Sequence, residues 1–422
     1  MLLPSPRGKI KMQQTIIQKY AELIVRSGIA LKAGEKVIIS ANVDQEDFVT
    51  LLVEEAYRLG AKRVIVQWTS QKVSKANLLY GDEEELSQLT PMDLAYWKFR
   101  GEELPSFIWV DSDDPDGSKG TDSSKAARIR QAQYKIYGKY KEMTENKIAW
   151  CIAGAPAKEW AMKVFPKENE KEAMEKLWEA ILLTSRALDG NEIVNWEKHD
   201  INLKKRCDYL NSLRLKELHY TSKNGTDLRV GLIPGVIFLG GGELTMDGRF
   251  FQPNIPSEEV FTSPKRGEAE GIVYSAKPLV YNGVLITNFW VKFHEGKAVD
   301  VHAETGEEAL RSILSLDEGS AYLGECALVP FDSPINNTGL LFYNTLYDEN
   351  AACHLALGRG FTELYPDYHK YSDEELYQFG INRSLSHVDF MIGSKDLNIV
   401  GTKENGEEVQ LFKNGNWAFD ID

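Results

Sequence analysis

Four short apolar runs, KVIISA (36–41), RVIVQW (63–68), SFIWVD (106–111) and KIAWCIAG (147–154), alternate with helix-like stretches in the first half of the chain. Such runs leave no face for water. They are stable as strands where helices cover both sides of a mostly parallel sheet. Apolar spacing predicts helices over 14–26, from Glu46 to Leu59, near 123–143 and over 168–188. Asp44 is the expected cap of the second helix and Gly60 its terminator. The first strand runs on into SANVDQED, without G-x-G-x-x-G or G-x-x-x-x-G-K-[ST]. No phosphate cradle is signalled there, so this half reads as scaffold.

The texture changes near residue 200. LKELHYTS and TDLRVGLI flank Asn224-Gly225, the signature of a tight hairpin, and β-like runs follow in GIVYSA, GVLITNFWVKFHEGKAVDVHA and GECALVP. The predicted fold class is therefore α/β, with a mostly parallel N-terminal domain over 1–195 and a β-rich α+β domain over 196–422. A chain of 422 residues has ample core for two such domains without disulfides. Its four cysteines, Cys151, Cys207, Cys326 and Cys353, form no CxxC pair, which argues against a zinc ribbon and for a reducing, cytoplasmic setting. With 49 basic against 63 acidic residues, the net charge is −14, and neither nucleic acid nor an anionic membrane is an expected partner. No apolar stretch is long enough to span a bilayer. Residues 1–11 read as a leader, with Met12 an equally good start.

The chemistry is concentrated after residue 250, in NIPSEEVFTSP (254–264), YLGECALVP (322–330), YDENAACHLALG (347–358) and LSHVDFMIG (385–393). Each sets carboxylates or imidazoles inside an apolar run, where such groups are seldom buried without a partner or a metal. His387 and Asp389 stand two apart in a strand-like run and share a face; they suit a metal, a hydrogen-bonded couple or a packed core histidine. Glu325 needs a cation nearby, either a metal or a basic side chain. Of the adjacent pair, Glu259 is expected to face inward and Glu258 to be solvated. ENAACHLALG reads as a helix ending at Gly358, with Glu349 at its start and His354 within it. Together these segments supply three Glu, two His and one Asp, a mixed oxygen and nitrogen donor set of the kind that holds two divalent ions. A nucleophilic serine or cysteine is disfavoured, because no G-x-S-x-G occurs. A two-metal phosphoesterase and a scaffold with buried ion pairs remain as alternatives.

The order and wording of these four segments, together with the opening KYAELIV and SGIALKAGEKVII, resemble the M29 family of metallo-aminopeptidases. The resemblance runs from the opening helix to near residue 393. It implies a cytosolic, homodimeric exopeptidase that acts on short peptides and uses two divalent ions per chain (zinc, cobalt, manganese or magnesium). It also implies Glu259, Glu325, Glu349, His354, His387 and Asp389 as metal ligands, with Glu325 bridging and Glu259 or Glu325 handling the water. One position departs from the pattern. Phe361 stands where a family-like tyrosine is expected, with Tyr365 the nearest substitute.

Overall fold

The computed structural model describes residues 6–421, with side chains from Thr15 onward. The leader expected over 1–11 lies partly outside the described residues, and its side chains do so entirely. The chain divides into two compact units. One holds the described residues up to Glu197 together with Gly242–Pro256; the other holds Lys198–Gly241 and the described residues from Ser257 onward.

The first unit is built on a parallel sheet of β1 (Lys36–Asn42), β2 (Arg63–Thr69), β3 (Ser106–Asp111), β4 (Trp150–Gly154) and the two-residue strand Asn254–Ile255. Their spatial order is 254–255, β4, β3, β1, β2. Interior strand β1 buries Val37, Ile38 and Ile39 completely, whereas edge strand β2 leaves Trp68 exposed. The opening helix, Pro6–Leu23, starts before the predicted 14–26 and passes into a π-helical turn, Ile24–Gly28. Helices Glu46–Arg58, Ser123–Glu142 and Glu170–Thr184 stand where periodicity places them. Asp44 does not cap the first of these; it lies in the 3-10 turn Val43–Gln45 that leads into it. Gly60 ends that helix at φ +93, where a Cβ would come within 2.9 Å of the Ala33 Cβ.

Three helices that the periodicity does not signal, Gln71–Tyr80, Glu83–Leu86 and Pro91–Glu103, follow β2. The first two bury no side chain, so an apolar stripe is missing. Their starts are written instead in caps, since Ser70, Asp82 and Thr90 each accept a backbone N–H three residues on.

The second unit contains two antiparallel sheets. The larger includes the predicted hairpin of Leu215–Thr221 and Asp227–Leu232, along with Pro264–Tyr274, Val284–His294 and Lys297–Thr305. The smaller consists of β5 (Leu239–Gly240), β6 (Val260–Thr262), β7 (Leu323–Leu328), β8 (His354–Gly358) and β9 (His387–Met391), in the order β9-β8-β7-β6-β5. One face of the smaller sheet places Val260, Cys326, Leu328, Leu355, Leu357 and Phe390 in a core shared with Leu218, Val230 and Phe289 of the larger. Burial of each large side chain contributes about 1.5–3 kcal/mol.

ENAACHLALG is not a helix. The helix here is Thr345–Glu349, so Glu349 ends it rather than starting it, and His354 opens β8. All five residues of β8 are buried, which makes His-Leu-Ala-Leu-Gly a central strand with a period of two. Among the described residues, no helix is long and apolar enough to cross a membrane.

Candidate metal centre

The alternation that sends leucines into the core sends a different set of side chains to the opposite face. Antiparallel register places Glu325 on β7 and Asp389 on β9 on either side of Ala356 on β8. In the same ladders Ala327 is opposite His354, and His387 is opposite Gly358. Residues directly across a ladder share a face. Two small alanines thus stand between the functional groups and leave room for the longer side chains to converge. Gly358 makes the turn after β8 possible: it sits at φ +107, and a Cβ there would meet the Ser386 carbonyl oxygen at 2.2 Å. Glu259 comes from the segment just before β6.

Ligand-type atoms of Glu259, Glu325 and His354 lie within 4.8 Å of one another, and so do those of Glu325, His387 and Asp389. Glu325 belongs to both triads. His354 Nε2 is 3.2 Å from Glu259 Oε2, and His387 Nε2 is 3.1 Å from Glu325 Oε2 and 3.2 Å from Asp389 Oδ1. The other ring nitrogen of His387, Nδ1, bonds the Arg359 carbonyl at 2.7 Å, and His354 Nδ1 lies 3.4 Å from the Ala352 carbonyl. A backbone carbonyl on Nδ1 orients each ring so that, in the neutral imidazole, the Nε2 lone pair would face the cluster, as in most metal-ligating histidines. Glu349 belongs to neither triad, yet its carboxyl feels the charges of Asp389, Glu259, His354 and Glu325.

The electrostatics express crowded acids. Burial pushes the Glu325 carboxyl up to about 7; Glu259 and Asp389 add to this while His387 opposes it. Burial and the neighbouring carboxylates also hold Glu349 well above its ordinary value. Desolvation disfavours a charge on His354, but Glu259 and the other acids outweigh it and bring the imidazole to about 10. His387 is raised well above its usual value in the same way, against its burial, by Asp389 and Glu325. The proximity of His387 in turn lowers Asp389 despite its burial. Asp389 Oδ1 is buried without a well-directed hydrogen bond. With its four carboxylates ionised and both imidazoles neutral, the cluster would carry a negative charge that divalent cations would neutralise, and the oxygen and nitrogen donors suit such ions.

Several sequence expectations need revision or gain a location. Glu258 is buried, not solvated; its Oε2 is 3.8 Å from His199 Nε2. The segment 256–259 is not regular strand, so strict alternation of faces does not hold there. Phe361 packs at 5.0 Å from the His387 ring and 5.3 Å from Phe261. Tyr365 instead stacks on Phe379 at 5.0 Å in a separate aromatic cluster. Cys353 Sγ bonds the Val329 backbone on the core side, and burial pushes its thiol up to about 12, which removes it as a nucleophile. The sequence reading passes over Asn350 and the Arg359 carbonyl, whose roles come from contacts far apart in the chain.

Comparison with known proteins shows the family. Residues 13–417 match the family described as thermophilic metalloprotease (M29). Aminopeptidase AmpS of Bacillus subtilis is 41% identical over 96% of this chain and 98% of its own length. Aminopeptidase T of Thermus thermophilus is 39% identical over 95% of this chain and 98% of its own. The solved structure of wild-type AmpT from Thermus thermophilus superposes with a TM-score of 0.87 at 38% identity, covering 96% of this chain and 100% of that one. With matches that run nearly end to end and two acid–imidazole triads in one buried face, the chain belongs to the M29 family of metalloproteases.

Proposed function

We propose that this metallo-aminopeptidase removes N-terminal amino acids from short peptides with two divalent ions. Glu259, His354 and Glu325 would hold one ion, and Glu325, His387 and Asp389 the other, with Glu349 facing both sets. The observation that carries this reading is the sharing of Glu325 by two otherwise separate triads. Charge balance supports it. Four carboxylates (Glu259, Glu325, Glu349 and Asp389) match two doubly charged cations when both histidines are neutral.

Divalent ions bound there supply Lewis acidity toward a carbonyl and a water acidified to near neutral pH. The chain's own residues do the rest. Glu325, which faces both triads, is placed to orient the attacking water. Phe361 and Phe261 form an apolar shelf beside His387 where a substrate side chain can rest. The register of β7, β8 and β9 fixes these groups before substrate arrives, which is the preorganisation that catalysis requires. Zinc, cobalt, manganese and magnesium all accept this donor set. A cytoplasmic homodimer is the assembly we propose, to be read from the mass in solution.

The test uses a leucyl peptide, its N-acetylated counterpart and a phosphate ester, with chelator-stripped protein titrated with cobalt or zinc. Release of leucine from the free peptide alone, saturating near two equivalents, is the expected result. Saturation at one equivalent would overturn the two-ion reading, and turnover of the phosphate ester alone would overturn the peptidase reading.

A further inference from the structure

The Ser257–Glu258 peptide bond, one residue ahead of Glu259, is gripped at both of its polar ends. The Ser257 carbonyl lies 2.7 Å from His199 Nε2, and the Glu258 N–H donates to Asn350 Oδ1 at 2.8 Å. Asn350 is 0% exposed, and its amide Nδ2 donates to the Leu346 carbonyl at 3.0 Å and toward Glu349 Oε1 at 3.4 Å. One buried side chain thus ties together two acid-bearing segments that lie far apart in the sequence. Its acceptor holds the strand-entry segment of Glu259, and its donor holds the helix end that carries Glu349. A carboxylate at this position would keep the first contact and turn the second into oxygen facing oxygen.

We propose that Asn350 is a positioning residue of the metal centre, setting the approach of Glu259 and Glu349 to the ions without ligating either. This rests on the metal-centre reading above. Groups behind metal ligands commonly contribute 10–100-fold in metal affinity or activity.

The experiment compares the parent protein with Asn350→Ala and Asn350→Asp. Cobalt affinity is measured by chelator competition, the cobalt absorption spectrum of the loaded forms is recorded, and unfolding is followed on metal-free protein. Positioning predicts about 10–100-fold weaker cobalt binding for Asn350→Ala and a changed cobalt spectrum. Asn350→Asp, which retains the grip on Glu258 but sets oxygen against the Leu346 carbonyl and Glu349 Oε1, should also weaken cobalt binding and change the spectrum. Parent-like affinity and spectrum in both variants would overturn the proposal, whether or not metal-free stability drops. Failure of both variants to fold would also overturn it, because Asn350 would then serve the fold rather than the centre. A parent protein that binds no cobalt would instead refute the metal-centre reading itself, and the two failures are therefore separable.

Discussion

Strands β1 and β8 are both buried, yet they use burial for different ends. In β1, Ile38 and Ile39 point to opposite faces and both are fully buried. In β8, Leu355 and Leu357 go to the core, while His354 and Ala356 go to the face that holds Glu325 and Asp389. A parallel sheet sandwiched between helices has no face to give to chemistry. The antiparallel sheet packs one face on a neighbouring sheet and keeps the other for polar groups. The alanines of that second face matter as much as its acids and imidazoles, because a larger side chain would occupy the space where the acids meet.

The largest effect expected from disturbing this division is at Glu325. Glu325→Gln keeps the shape and removes the charge that both triads share, so kcat/KM on a leucyl peptide should fall by about a thousandfold or more. Bound metal, measured on the same preparation, should drop with it. Activity within a factor of two of the parent would mean that the site lies elsewhere.

Next in size is a contrast between neighbours. Leu355→Ala should cost about 2–5 kcal/mol of stability, as large-to-small core changes do, and so should Ile38→Ala and Ile39→Ala in β1. Ala356→Val should stay near the low end of the roughly 1–3 kcal/mol that overpacking costs, yet abolish metal uptake. Denaturant unfolding and metal titration on the four variants test the contrast. If Ala356→Val binds metal like the parent, the two faces of β8 do not divide packing from metal binding.

Much of this was legible in the sequence, and the misses share a cause. The strands of the parallel sheet announce themselves because apolar runs bounded by turns have few other uses. The four acid- and imidazole-bearing segments stand out for the same reason in reverse, as charges inside apolar surroundings. HLALG misleads because its leading ENAAC favours a helix, and five residues are too few for the alternating pattern to prevail over it. Glu258 misleads because alternation was assumed where the chain is irregular. Asn350 gives no local sign of its role, since its partner Glu258 is joined to it only by the fold. The return of Gly242–Pro256 to the first unit, where Asn254–Ile255 pairs with β4, is equally unmarked in composition.

The smallest effect predicted concerns pH and sharpens the comparison from the electrostatic side. In the metal-free state, Glu325 is raised to about 7 and His354 to about 10, so both bind protons more tightly folded than unfolded. Stability from such groups is present in full below their unfolded values, near 4.3 for Glu and 6.5 for His, and is lost as pH rises through the folded ones. Between about pH 4.3 and 10 the stability that Glu325 and His354 lend the metal-free fold therefore declines as pH rises. Metal reverses the sign, because it requires ionised carboxylates and neutral imidazoles and releases their protons on binding. Metal affinity should rise about tenfold per pH unit for each proton released, and the gap in Tm between loaded and metal-free protein should widen from pH 6 to pH 8. Taking the gap at each pH cancels titrations common to both forms, including any in the parallel sheet. Calorimetry in buffers of different ionisation enthalpy counts the protons directly. A gap that is constant or narrows with pH would mean that the acids and imidazoles of the smaller sheet are not the groups that hold the metal.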